Sequence, residues 1–316
     1  MTSEGLSLRF ADPESAAVYP ADTAGEVDWQ RRDALWQTVV NLPDLETGSI
    51  LAPSLAVLNN WPYEFRFELS ADQGRWPLPK VPSEAGHSAP AGSGDSVHGK
   101  LDCWHINKPL TGVKVQVSCA AASLPNRYLL ALTARPLQLA DLPEPPQQSL
   151  CVPRPVQFSQ MLENPRIASR SCSPVALAMA LAEHRGSRAP LHQILPLCHD
   201  PATGMYGMWP LAIRTASRFG VIGALELLSD WSMVTASLEA GYCVVASIRY
   251  APGTLSGSPQ PGTGGHLVVV YGVTDDTVLV NDPAAPNRGV VSRRYPLEQF
   301  TEAWFRHRGA AYILAS

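Results

Sequence analysis

The stretch SRSCSPVALAMALAEH, residues 169–184, is the part of the sequence that most directly decides the fold. From Pro174 to His184 it is apolar on nearly every side, which is typical of a helix buried in a core. Proline is favoured in the first turn of a helix, so we expect this helix to begin close to Cys172. The positive end of the helix dipole would stabilise a thiolate there and lower the thiol pKa from its free value of about 8.5. The sequence therefore predicts Cys172 as a nucleophile.

A histidine opens a predicted strand further along the chain. Residues 263–270 read TGGHLVVV, where Gly264 and Gly265 permit close approach of another backbone and the apolar run after them predicts a strand. An imidazole fixed at the start of that strand is suited to accept the proton of a thiol. The sequence predicts His266 as the general base for Cys172.

An acidic residue follows one strand later. Asn281-Asp282-Pro283 ends the next predicted strand, and the turn at 274–276 makes the two strands an antiparallel pair. Asp282 is therefore expected to accept a hydrogen bond from the His266 ring, which would fix the tautomer and stabilise the charged imidazole.

An oxyanion formed at such a site needs hydrogen-bond donors. The backbone N–H of Cys172 is one, and the side chain of Gln160 or Gln157 upstream is the candidate for the second. Each feature also has a plainer interpretation, since a buried cysteine is usually an inert hydrophobe, a strand histidine is often structural and Asn-Asp-Pro is often only a turn. The order Gln, Cys, His, Asp along the chain favours a catalytic site.

Five prolines between residues 137 and 156 indicate an extended linker. We therefore expect a β-rich, sandwich-like domain over 1–140, a Pro-rich linker over 141–156 and a second domain over 157–316. In the first domain the patterns predict strands at 63–70, 112–121 and 128–135, a helical segment around 29–40 and a surface loop or disordered insertion at 75–100.

The second domain has helices first and strands afterwards. Besides the helix after Cys172, the sequence predicts helices at 191–197 and 210–219 and strands at 243–250, 266–273, 277–280 and 310–314. Helices followed by an antiparallel sheet make an α+β domain.

Composition excludes several classes of protein. A formal net charge of -4 gives no basic field for nucleic acid or anionic lipid, and no apolar run approaches the ~20 residues that span a bilayer. No secretory signal is visible, which favours the cytoplasm provided that Met1 is the native start. The six cysteines show no metal-ligand spacing, so we expect no metal and no cofactor.

The second half of the sequence resembles the bacterial C39-type papain-like cysteine peptidases, and specifically the free-standing C39-like family. The resemblance runs from about Val152 to Leu314 and is carried by the stretches QFSQM (157–161), CSPVALAM (172–179), YGMWP (206–210), GHLVV (265–269), NDPA (281–284) and AW (303–304). It implies a papain-like fold with Cys172 as nucleophile, His266 as base, Asp282 as orienting acid and Gln160 as oxyanion donor. Two departures are a longer spacing between Gln160 and Cys172 than in leader-processing relatives, and Ser173 where many relatives have glycine.

The expected activity is hydrolysis of peptide or isopeptide bonds in a peptide or protein substrate. Trp209 and Gly265 are candidate substrate-binding residues, with packing as the alternative for Trp209. Amidase or acyltransferase activity with the same thiol is one alternative function, and a non-catalytic binding protein on a peptidase fold is another. The tryptophan-rich N-terminal domain is a candidate for binding protein or carbohydrate.

Overall fold

The computed structural model describes residues 5–82, 91–185 and 190–316. The chain packs into two compact units. The first consists of the residues up to Leu137 together with 200–204 and 208–227, and the second consists of 138–199, 205–207 and 228–316. Residues 208–227, which the sequence assigned to the C-terminal domain, thus belong to the first unit.

The first unit is built mainly from two five-stranded antiparallel sheets. Their strands and the one helix among them are β1 (Leu6–Ala11), α1 (Pro13–Val18), β2 (Gln30–Arg32), β3 (Leu35–Asn41), β4 (Ser49–Val57), β5 (Glu64–Ala71), β6 (Gly74–Pro77), β7 (Val97–Gly99), β8 (Trp104–Ile106), β9 (Lys114–Ala120) and β10 (Tyr128–Pro136). The first sheet has the order β1-β10-β4-β8-β7, and the second has the order β2-β3-β9-β5-β6.

Both sheets contribute to one apolar core. Leu55 of β4 and Leu130 of β10 belong to the same buried cluster as Phe67 of β5 and Val117 of β9. Strands β5 and β9 alternate buried and more exposed residues, as expected when one face of a sheet is covered and the other meets solvent. The arrangement is that of two sheets packed face to face.

A helix and a strand from later in the chain complete this unit: α4 (Trp209–Arg218) and β12 (Ile222–Leu227). Strand β12 packs against β4 and β10. Its Glu226 is 1% exposed and accepts hydrogen bonds from Arg9 Nε at 2.6 Å and from the Tyr19 hydroxyl at 2.9 Å. A buried carboxylate is tolerated only when it is paired in this way, so the N-terminal residues are required partners of the segment 208–227.

The second unit is a mixed helix and antiparallel-sheet structure. Its elements are β11 (Leu150–Cys151), α2 (Cys172–Arg185), α3 (Leu191–Leu197), α5 (Ser232–Glu239), β13 (Val244–Tyr250), β14 (Thr263–Val273), β15 (Thr277–Asn281), β16 (Ser292–Pro296), α6 (Leu297–Phe305) and β17 (Ala310–Ala315). Strands β17, β13, β14, β15 and β16 are neighbours in that order, and β11 pairs with the end of β14. Helix α2 packs against β14 and β13.

Most sequence-predicted elements are present, with one clear error. The segment 29–40 is not helical; it forms the β2–β3 hairpin, which turns at Asp33, where φ is +54°. Thr38, Val39 and Val40 are β-branched and favour the strand. The predicted loop at 75–100 contains β6 and β7, and residues 83–90 lie outside the described part of the chain. No helix within the described ranges combines the length and apolarity needed to span a membrane.

Candidate active site

The first residue of helix α2 is Cys172, as the sequence predicts. Residues 175–181 behind it are completely buried, and the Val175 N–H donates to the Ser171 carbonyl at 3.1 Å. The hydroxyls of Ser173 and Tyr312 lie 2.9 Å apart, which ties the first turn of the helix to β17. These contacts fix the backbone that carries the thiol.

Cys172 is partly exposed, and its thiol lies within interaction range of the imidazole of His266. The backbone N–H groups of Leu267 and Ser173 are also near enough to stabilise a thiolate at this position. Burial acts to raise the pKa of this thiol, but the imidazole and the two N–H groups outweigh burial and lower the pKa below its ordinary value. The arrangement therefore favours a thiolate.

The imidazole of His266 lies between the sulfur and a carboxylate. His266 is 2% exposed on β14, opposite Ile248 of β13, and its Nε2 is 2.7 Å from Asp282 Oδ1. Because Nε2 faces the carboxylate, Nδ1 is the nitrogen left for the sulfur. Burial alone would lower the pKa of His266, but the charge and hydrogen bond of Asp282, together with Cys172, raise it to about 10. The imidazole is accordingly held in its charged form.

Asp282 follows the end of β15 and is completely buried. Its Oδ1 also accepts the backbone N–H of Ala284 at 2.8 Å, and its Oδ2 accepts the Tyr295 hydroxyl at 2.5 Å. Burial tends to raise the pKa of this carboxyl, whereas the His266 charge and the three donors lower it below its usual range. Asp282 is thus an ionised, fully hydrogen-bonded partner for the imidazole.

Gln160, the predicted oxyanion donor, begins a short 3-10 helix, Gln160–Leu162. Its backbone N–H donates to Pro283 O at 2.8 Å, next to Asp282. The side-chain Nε2 donates to Ala168 O at 2.6 Å, while Oε1 has no hydrogen-bond partner among the described residues. One of the two hydrogens on Gln160 Nε2 is therefore bonded to the segment that leads into α2. The second hydrogen on the same nitrogen can be donated to another acceptor.

Residues 149–312, slightly more than half of the chain, match the model of the Peptidase_C39 like family. The chain belongs to this family. The matched region contains Cys172, His266 and Asp282, together with the segment of the first unit that carries α4 and β12.

The solved structures that are similar to parts of this C39-like chain include the following two. One is a candidate C39-like peptidase from Bacillus anthracis, with 17% identity over 54% of this chain and 98% of that chain, at a TM-score of 0.40. The other is xylanase 10C from Cellvibrio japonicus, with 10% identity over 38% of this chain and 29% of that chain, at a TM-score of 0.17. No curated protein sequence shows a significant match.

The two predicted substrate-binding residues of the C39-like chain are placed differently. Gly265 is exposed and immediately precedes His266 on β14. Trp209 begins α4 in the first unit, where it is 3% exposed and its backbone N–H donates to Asp102 Oδ2 at 3.4 Å. The three residues Cys172, His266 and Asp282 come together in the second unit, and Trp209 is not part of that unit.

Tyr295 is the residue of this site that sequence reasoning missed. It lies on β16 opposite Val278, is completely buried and stacks on Phe300 with ring centroids 6.0 Å apart. Burial and the negative charge of Asp282 raise the pKa of Tyr295 well above its usual range, so it stays protonated and donates. A lone tyrosine in the sequence SRRYP gives no signal of this role, because the contact depends on the register of β15 and β16.

Proposed function

We propose that this C39-like protein hydrolyses peptide or isopeptide bonds with Cys172 as nucleophile. The observation that carries the proposal is the Cys172 thiol at the start of α2, beside an imidazole that lowers its pKa and whose Nε2 lies 2.7 Å from the buried carboxylate of Asp282. That is the arrangement by which a weak nucleophile is activated.

In the proposed reaction the Cys172 thiolate attacks the carbonyl carbon of the substrate. The backbone N–H of Cys172 and the second amide hydrogen of Gln160 stabilise the oxyanion. The His266 imidazolium gives its proton to the leaving amine, and an acyl-enzyme thioester remains. His266 then takes a proton from water, whose oxygen attacks the thioester and releases the carboxylic acid and the Cys172 thiolate, which restores the thiolate beside the His266 imidazolium.

The test is product analysis in ¹⁸O-labelled water. The full chain is incubated with a proteome-derived peptide library, with and without added glycine amide, and the products are identified by mass spectrometry. The proposal expects new carboxyl termini that carry ¹⁸O and that are absent after iodoacetamide treatment. If amine adducts dominate at millimolar amine, acyl transfer replaces hydrolysis, and if no bond is cleaved, the proposal fails.

Replacing Tyr295 with phenylalanine removes one of the donors to Asp282. The pKa of Asp282 should then rise, so that a higher pH is needed to keep the carboxylate ionised. We expect the acid limb of kcat/KM to move to higher pH and kcat/KM at low pH to fall about 10- to 100-fold, the usual range for a hydrogen bond to a charged group.

The matched control for this variant is Tyr63→Phe. Tyr63 is also completely buried and shares a hydrogen bond with Ser217, but it belongs to the first unit. Both variants should lower the melting temperature, whereas only Tyr295→Phe should move the pH profile. If the acid limb of kcat/KM is unchanged in Tyr295→Phe, the hydroxyl of Tyr295 does not control the ionisation of Asp282.

A further inference from the structure

A groove of about 480 Å³ runs along the edge of β3 in the first unit. This volume lies within the ~300–1,000 Å³ range of ligand sites. One side of the groove is formed by five consecutive residues, 37–41, and the other by the segment 26–32. Successive side chains of a strand point to opposite faces of the sheet, so a groove lined by five in a row is lined by the backbone edge itself.

The strand register shows which backbone groups meet this groove. The Leu42 N–H donates to Val113 O at 2.9 Å, so these two residues are a hydrogen-bonded pair of the antiparallel β3–β9 ladder. Because hydrogen-bonded pairs alternate with non-hydrogen-bonded pairs along such a ladder, the backbone N–H and C=O groups of Val40 and Thr38 also point toward β9. Val39 and Asn41 direct theirs the opposite way, toward the groove. Strand β2 covers that edge only as far as its pair Gln30–Gln37. Within the described residues, no strand therefore pairs with the edge at Val39 and Asn41.

The edge is open because the chain before β2 is drawn to the other sheet. The Val27 N–H donates to the Tyr128 hydroxyl at 2.8 Å, and Trp29 contacts the Tyr128 ring edge-on at 5.7 Å. Tyr128 begins β10 of the first sheet. Residues 26–29 would otherwise continue β2 alongside β3, and their departure leaves a space beside unpaired donors and acceptors.

We propose that this groove binds an extended peptide segment, which adds to β3 as a further strand. The N–H and C=O groups of Val39 and Asn41 would supply its backbone hydrogen bonds, as in other cases of strand addition. The exposed side chain of Val39 offers an apolar contact. Glu26, Asp28 and Arg32 are the charged residues of the lining, so the groove carries a net negative charge that favours lysine or arginine in the peptide.

The lining favours a peptide over a carbohydrate. Phe10 is the one aromatic residue among the described residues that line the groove, so a sugar ring would have little to stack on. This binding is independent of the proposed hydrolysis and does not require Cys172. Its failure and the failure of the catalytic proposal are therefore separable.

The test uses the full chain with Cys172→Ala, which prevents cleavage, and the fluorescein-labelled peptide KVTVTVK. Two derivatives carry N-methyl groups on alternate residues, one on the even and one on the odd positions. Only one set of alternate N–H groups in the peptide faces β3, so only one derivative has its interstrand hydrogen bonds blocked. Fluorescence anisotropy should show that this derivative binds about tenfold more weakly than the parent peptide, whereas the other derivative binds nearly as well. Equal binding of the two derivatives, or no binding of the parent at millimolar protein, would overturn the proposal.

Two variants locate the site. Val39→Pro removes only the N–H that faces the groove, whereas Val39→Thr keeps it, so about tenfold weaker binding is expected for the first and little change for the second. If Val39→Pro does not fold, the double variant Glu26→Lys, Asp28→Lys tests whether the peptide binds in this groove. It should weaken binding of KVTVTVK and strengthen binding of EVTVTVE, and unchanged binding of both peptides would place the contact elsewhere.

Discussion

Replacing Cys172 with alanine is expected to lower kcat for peptide hydrolysis by about 10⁴- to 10⁶-fold, because no thioester can form. The free energy of unfolding should change little, since the first turn of α2 is fixed by other contacts, such as that between Ser173 and Tyr312. The loss should therefore appear in protein that is as thermally stable as the parent.

The control for this variant is Cys151→Ala. Cys151 is an exposed, free cysteine of β11, so its replacement should leave kcat unchanged. Hydrolysis is measured with a peptide identified by the product analysis, and folding is followed by thermal unfolding. Activity of Cys172→Ala within tenfold of the parent would assign the chemistry to another residue.

Replacing Asp282 with asparagine is expected to lower kcat/KM at neutral pH by about 10³- to 10⁴-fold. The side chain keeps its size but loses the charge that holds the pKa of His266 near 10. The pKa of His266 should fall and that of the Cys172 thiol should rise, because the imidazolium no longer stabilises the thiolate. The alkaline limb of kcat/KM, where His266 loses its proton, should accordingly move to lower pH.

Asp275→Asn is the matched control, since Asp275 is an exposed acid in the turn between β14 and β15 whose Oδ1 accepts a hydrogen bond from the Ser149 hydroxyl at 2.9 Å. It should leave both limbs of the pH profile in place. An Asp282→Asn enzyme that retained kcat/KM within tenfold, with an unmoved alkaline limb, would show that the carboxylate does not control the imidazole.

Strands whose apolar or β-branched residues follow a regular pattern could be predicted from the sequence, whereas a strand that contains an unfavourable residue could not. Strands β5, β9 and β10 were found because each has a periodic or β-branched pattern. Strand β4 was not predicted, and it contains Pro53, which lacks the N–H that a central strand normally uses. In the structure β8 pairs with β4 only at Ile50 and Leu51, so the missing N–H of Pro53 lies beyond that pairing.

The placement of α4 and β12 also lay beyond sequence reasoning. The helix itself was predicted, at 210–219, and is observed over Trp209–Arg218. The assignment of α4 and β12 to the first unit depends on partners that are more than a hundred residues away. One of them is Ser54, whose Oγ accepts the N–H of Leu225 in β12 at 2.9 Å. No periodicity within residues 200–230 carries that information.

The candidate site was largely visible in the sequence because its parts are at ends of regular elements. A helix start after Ser171 and a hairpin between β14 and β15 were enough to predict that Cys172, His266 and Asp282 lie close together. Tyr295 and the Leu267 N–H required the strand register and the position of α2. The role of Gln160 stays a prediction, with its Nε2 bonded to Ala168 O.

The activation of the Cys172 thiol can be measured by its rate of alkylation by iodoacetamide as a function of pH, with the modified peptide quantified by mass spectrometry. Burial raises the pKa of Cys119 to about 12 and also raises that of Cys243, so these thiols should react slowly and not obscure the signal. We expect Cys172 to react faster than a free thiol at neutral pH and to reach its half-maximal rate well below pH 8.5. A midpoint at or above that of a free thiol would show that His266 and Asp282 do not activate the sulfur.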